Sequence, residues 1–134
     1  MAALFSDEWM KLMMEEWNKD PEVSGKLAEI NFNSTIGCGF KGEEKPMGVF
    51  VVEDGIAVRA GTYDGETLNW DMRADKDNWM KWMNNGLGMT GMGMAVTTGK
   101  LKFLAGDFKS MFKDPRMATP FVKSFGLMGR VGGE

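Results

Sequence analysis

Ile30-Asn31-Phe32-Asn33-Ser34-Thr35-Ile36-Gly37-Cys38-Gly39-Phe40 decides the fold class, because its even positions are mainly apolar and its odd ones polar or glycine. Successive side chains of a strand leave opposite faces, so a period of two marks a half-buried strand. The strand is unusually long, and Gly37 and Gly39 predict a bend or bulge in it. This regime runs from Leu27 to Arg73. Lys41-Gly42-Glu43-Glu44-Lys45-Pro46 reads as a turn. Gly48 to Val52 is apolar on both faces, and Glu53-Asp54-Gly55 makes a tight hairpin turn into Ile56–Ala60. After Tyr63-Asp64-Gly65, another turn, Thr67 to Arg73 alternates again with Leu68, Trp70 and Met72 on one face. Four strands joined by short turns read as an antiparallel meander.

Outward from the meander the period changes to that of a helix. Ser6 can cap a helix over Ser6–Lys19, with Asp7 and Glu8 in its first turn and Trp9, Leu12, Met13 and Trp17 along one face. That stripe is read as packing on the sheet. Asp20-Pro21 ends the helix. Beyond the strands, Asn78-Trp79-Met80-Lys81-Trp82-Met83-Asn84 is helical. It is followed by a stretch from Asn85 to Met94 with four glycines and three methionines in ten residues. Gly99 to Asp107 supplies a fifth strand with Leu101 and Phe103 on one face. Phe108 to Phe112 begins a helix, and Met117 to Met128 resumes it less regularly because of Pro120, before a frayed Gly132-Gly133 tail. No repeat and no linker divides residues 1–134. The expectation is one α+β domain, a five-stranded, mainly antiparallel sheet covered on one face by helices.

Composition excludes more chemistry than it admits. The 134 residues contain no histidine, one cysteine and a formal charge of −3. Histidine-based triads, Cys-His dyads, His- or Cys₄-bound zinc and ordinary iron–sulfur centres are therefore out, and no basic footprint marks a nucleic-acid surface. The N-terminus has neither the basic region nor the apolar core of a signal peptide, and no apolar run reaches the ~18 residues of a membrane span. A lone cysteine fits a reducing compartment, and the expected location is cytoplasmic. Two G-x-G-x-x-G matches, Gly37-Gly39-Gly42 and Gly86-Gly88-Gly91, lack the strand–glycine–helix order of a dinucleotide site. Asn33-Ser34-Thr35 fits a glycosylation sequon but stands without a secretion signal. Asp71, Arg73 and Asp75 read as a solvated sheet face, and Cys38 as a buried inert thiol. The chain spends its residues on 14 Met and 18 Gly. Glycines among Met89, Met92 and Met94 leave space rather than fill it, so this segment reads as a mobile wall around an apolar cavity.

Gly99-Lys100-Leu101-Lys102-Phe103 followed by Ala105-Gly106-Asp107 resembles the Gly-Lys-Leu-Lys box of the sterol carrier protein type-2 family. The order of elements agrees over about Leu4 to Phe125: an apolar strand ending at Asp54-Gly55, a strand with Trp70, Asp71 and Met72, then a helix with Trp79 and Trp82. The resemblance implies a hydrophobic tunnel and a non-catalytic carrier of fatty acids, fatty acyl-CoA, sterol-like or other lipids, with no cofactor and no metal. Phe50, Val52, Trp70 and Phe103 would form the tunnel floor, with Met72 beside them. Trp79, Met80 and Met83 would line the wall, together with Met89, Met92 and Met94. Phe108, Met111 and Phe112 would close the far end. The Gly86–Met94 segment, longer than the usual family segment, would act as a gate, and the C-terminal Arg130-Val131-Gly132-Gly133-Glu134 lacks a peroxisomal address. A sixteen-carbon chain gains ~12 kcal/mol gross on leaving water, about what a bilayer returns, so exchange with membranes through transient contact is feasible. Two alternatives stay open. One is an accessory module presenting isoprenoid or quinone-type intermediates to enzymes, and the other is an enzyme built on Asp71, Arg73 and Asp75. The oligomeric state stays open too.

Overall fold

The computed structural model describes residues 2–133. Helix α1 (Asp7–Lys19) starts where the sequence predicts, with the Ser6 hydroxyl accepting the Trp9 N–H at 3.2 Å. It buries Trp9, Met10, Met13 and Trp17, while Leu12 stays exposed. The stripe is therefore rotated by part of a turn from the expected one. Asp20-Pro21 ends α1 and at once begins new helix, since proline suits a first helical position and Asp20 accepts the Glu22 N–H. A π-helical turn over Pro21–Gly25 runs into α2 (Lys26–Glu29). The strand expected from Ile30 consequently begins only at Ser34.

Strands β1 (Ser34–Phe40), β2 (Gly48–Glu53), β3 (Ile56–Thr62), β4 (Trp70–Ala74) and β5 (Lys102–Ala105) form one sheet in the order β3-β2-β1-β4-β5. β1/β2, β2/β3 and β4/β5 are antiparallel, but β4 lies parallel to β1, with Ile36 opposite Trp70 and Phe40 opposite Ala74. The meander thus has three strands, not four. Residues 63–69 carry the chain back across the outer face instead of making a hairpin. Three strand spacings of about 4.8 Å come to about 14 Å, well within the reach of a seven-residue link.

That crossing explains Gly37, and the β1–β2 loop explains Gly39. A Cβ on Gly37 would lie 2.9 Å from Leu68 Cδ1, and one on Gly39 would lie 2.8 Å from Pro46 Cα. The glycines admit a covering loop, and β1 keeps regular register on both sides. The irregularities fall elsewhere, between Val51 and Val52 and between Asp71 and Met72. At the β3 edge, Asn18 satisfies both backbone groups of Ala57 at 2.8 and 2.9 Å, and Asp7 accepts the Thr62 N–H. α1 thereby blocks an edge that could otherwise recruit a foreign strand.

After β4 come α3 (Lys76–Asn85) and α4 (Met89–Thr97), then β5, α5 (Phe108–Lys113) and α6 (Pro115–Val131). The glycine–methionine stretch is ordered as a helix because Met92 and Ala95 are buried, offsetting a glycine penalty of about 1 kcal/mol per residue. α6 runs unbroken through Pro120, whose missing N–H costs one bond near the helix start while the stripe of Ala118, Phe125, Leu127 and Met128 is buried. The tail expected to fray is pinned: the Trp9 indole N–H donates to the Gly132 carbonyl at 2.6 Å.

Candidate functional site

Two small apolar cavities adjoin beneath the sheet, on the face bearing Ile36, Phe50 and Met72. The outer one, about 40 Å³, lies among Leu27, Phe32, Trp70, Met111, Met117 and Phe121. The inner one, about 50 Å³, lies between α1 and α6 among Met10, Met13, Phe50, Cys38, Phe125 and Met128. Trp17, Ile36, Met72 and Phe121 touch both. Each is far smaller than the about 150 Å³ that admits a single benzene, so a lipid tail enters only if side chains move. Six methionines line the two spaces: Met10, Met13, Met72, Met111, Met117 and Met128. Unbranched thioether side chains reorient at low cost, which makes this wall deformable where leucine or valine would hold its shape.

Of the residues predicted for ligand contact, Phe50, Trp70, Met72 and Met111 border these cavities. Phe103 joins them through ring contacts to Trp70 at 5.9 Å and Phe121 at 6.1 Å, and Phe108 and Phe112 extend that cluster outward. Val52, Trp79 and Met83 are buried, Met80 is half-buried, and none of the four borders either of these two cavities. Trp79 instead packs among Phe5, Trp82 and Phe125, with its indole N–H on the Gly39 carbonyl at 2.9 Å. On α4, Met92 is buried and Met89 and Met94 are exposed, and none borders a cavity. Sequence reading passed over Met10, Met13, Met117 and Met128, whose only signal was methionine on the buried stripes of α1 and α6.

The outer cavity adjoins a surface groove past the end of β5. This open groove of about 630 Å³ shares Phe32, Trp70 and Met117 with the cavity. The Trp70 ring lies flat on backbone there: a Cβ on Gly106 would sit 2.2 Å from the indole, and Gly106 has a φ of 102° that side chains rarely adopt. Polar groups rim the groove. Ser110 donates to Asp107 from its hydroxyl at 2.7 Å and its N–H at 3.1 Å, and Arg116 forks onto Asp114 at 3.0 and 3.2 Å. The Ser110 bonds hold Asp107, and the Arg116 guanidinium holds Asp114, below the usual carboxylate range, so both stay ionised.

Asp71 and Arg73 are not a solvated face. Arg73 Nε and Nη2 fork onto Asp71 at 2.6 and 3.0 Å, both residues are buried, and Nη1 donates to the Glu43 carbonyl at 2.7 Å. Pro46 and Leu68 cover this outer face, away from the cavities. Asp75 stays exposed at the start of α3. Burial first, and the Asp71 charge second, push the Cys38 thiol up to about 12. A thiol-exchange reagent at about pH 8 is accordingly expected to leave folded protein unlabelled and to label it fully once denaturant is added. Rapid labelling of the native state would contradict a buried, protonated Cys38.

No family model and no curated protein matches the chain. Solved structures do. A crystal structure of sterol carrier protein 2 superposes with a TM-score of 0.74 at 15% identity, covering 94% of this chain and 97% of that one. A conserved hypothetical protein from Thermus thermophilus, described as a candidate sterol carrier protein, gives 0.65 at 14% identity over 100% and 93% of the two chains. A UbiJ-SCP2 ubiquinone synthesis protein gives 0.56 at 10% identity over 89% and 90%. These likenesses over nearly the whole chain show that it has the sterol carrier protein type-2 fold.

Proposed function

We propose that the protein is a non-catalytic, cytoplasmic carrier that holds the apolar part of a lipid between the sheet and helices α1 and α6. The observation behind this reading is the pair of adjoining methionine-walled cavities, the outer of which shares Phe32, Trp70 and Met117 with a surface groove. Fatty acids, acyl-CoA, sterol-like lipids and other long apolar molecules form the ligand class. Cys38 is the one titratable residue on the cavity walls, and its thiol stays protonated, which favours carriage over chemistry. Among the described residues no helix is long and apolar enough to cross a membrane, so contact with bilayers would be transient.

The test is titration of delipidated protein with a fluorescent long-chain lipid, followed by displacement with palmitoyl-CoA, a sterol and a quinone precursor. Saturable one-to-one binding is expected. Ile36 touches both cavities, so Ile36→Phe should weaken binding about tenfold while costing no more than about 1–3 kcal/mol of stability. Folded, lipid-free protein that binds none of these ligands would sink the carrier reading.

A second reading is an accessory module that presents isoprenoid intermediates to biosynthetic enzymes, favoured by the likeness to the UbiJ-SCP2 ubiquinone synthesis protein. Preference for isoprenoid over straight tails, with a stable enzyme complex, would separate it from simple carriage.

A further inference from the structure

We propose that ligand passes between Phe32, Trp70 and Met117, and that the groove outside them receives an uncharged polar head group while disfavouring carboxylate and phosphate heads. This inference rests on the carrier reading, adds a mouth to it, and ranks its ligands, placing uncharged heads ahead of fatty acids and acyl-CoA.

The position follows from continuity. The groove and the outer cavity have Phe32, Trp70 and Met117 in common, and these come from three separate segments: the α2–β1 link, the start of β4 and the first turn of α6. Met117 is the flexible member of the three, and Trp70 is seated against Gly106. α4 and the groove lie at opposite ends of β5. The segment expected as a gate, Gly86–Met94, precedes β5, whereas the groove follows it.

The head-group class follows from the rim. Glu29, Asp107 and Asp114 line the groove against one cation, Arg116, whose guanidinium is already engaged by Asp114. Lys26 stands in the neighbouring crevice and faces Glu29 at 3.8 Å. Lys109 stands beside Asp107 but is not on the wall, so an arriving carboxylate or phosphate meets more carboxylates than cations on the groove wall and no unengaged cation there. Asn31, Asn33 and Asn69 also line the groove; Asn31 donates to Asp54, and Asn33 donates to the Asn31 carbonyl and accepts the Asp54 N–H, which leaves Asn69 as the available amide. Asn69 accepts the Thr35 N–H through Oδ1 at 2.8 Å, while its Nδ2 has no partner among the described residues. Carboxamides of this kind suit hydroxyl, carbonyl or ester heads, which form hydrogen bonds without carrying charge.

The experiment compares ligands with one sixteen-carbon tail and different heads: monopalmitin, palmitate and palmitoyl-CoA. Each is titrated into delipidated protein at low and at physiological salt. Monopalmitin should bind at least about tenfold more tightly than palmitate at about 0.01 M salt, and the gap should narrow at about 0.15 M as the Debye length falls from about 30 to about 8 Å. Glu29→Lys combined with Asp107→Asn should close most of the gap by strengthening palmitate alone. Both changes are compatible with folding, since asparagine still caps α5 and lysine suits the end of α2. Met117→Trp should slow association of monopalmitin severalfold. Equal binding of monopalmitin and palmitate at low salt would overturn the head-group inference while leaving the carrier reading intact. An unchanged association rate in Met117→Trp would overturn the mouth. Failure of every ligand to bind would remove the carrier reading, and this inference with it.

Discussion

Arg73→Ala is expected to lower stability by about 3–5 kcal/mol, the usual cost of leaving one member of a buried ion pair without its partner. Arg73 and Asp71 are almost fully enclosed, and the guanidinium makes a two-pronged contact with Asp71. Alanine would strand the carboxylate beneath the Pro46–Leu68 cover and release the Glu43 carbonyl as well. Removing both charges together, as in Asp71→Leu with Arg73→Met, should recover most of the loss, because the pair's own attraction largely offsets its desolvation. Urea unfolding of the three variants measures this. A cost under about 1 kcal/mol for Arg73→Ala would show that water reaches the pair.

Trp79→Ala should be comparably damaging, at about 3–5 kcal/mol. The ring is fully buried and meets Phe5 at 5.0 Å, Trp82 at 5.5 Å and Phe125 at 6.0 Å, tying the N-terminal segment, α3 and α6 into one cluster. Its N–H also satisfies the Gly39 carbonyl. Trp79→Phe keeps much of the packing and loses that bond, so about 1–3 kcal/mol is expected there. Against a typical total of about 5–15 kcal/mol, the alanine variant could be close to unfolding and should be measured in the cold. An alanine variant no worse than the phenylalanine one would show that the cavity collapses.

Local signals in the sequence were reliable where the physics is local. Ser6, Asp7 and Glu8 announce α1, and Asp54-Gly55 announces the β2–β3 turn, because caps and tight turns are decided within a few residues. Non-local events were hidden. Tyr63-Asp64-Gly65 has the look of a hairpin turn, yet β4 found its partner in β1, a choice fixed by which apolar face could be covered. Asp71 and Arg73 share one face of a strand, which looks wet until a loop from elsewhere closes over it. Pro120 argued for an irregular helix and the glycines of α4 against one, and burial of Phe125, Leu127 and Met92 outweighed them.

The candidate site was legible in kind and only partly in place. Composition pointed to a deformable apolar wall, and the resemblance pointed to the sheet face, which together reached Phe50, Trp70, Met72 and Met111. The rest of the wall comes from α1 and α6, whose apolar stripes carry the same periodicity whether they pack or line a space. The most unusual stretch, Gly86–Met94, drew attention because of its glycines, but its buried side chain, Met92, belongs to the core beside α6.

The distribution of indoles gives the molecule a built-in optical reporter. Trp79 and Trp82 are buried away from groove and cavities, whereas Trp9 borders the inner cavity, Trp17 borders both and Trp70 stands between the outer one and the groove. Two chromophores thus supply a steady emission baseline, and the other three stand where a bound apolar chain would change their surroundings. Trp70, half-buried against bare glycine backbone, is the one whose spectrum should shift toward the blue when an apolar chain displaces water from beside it.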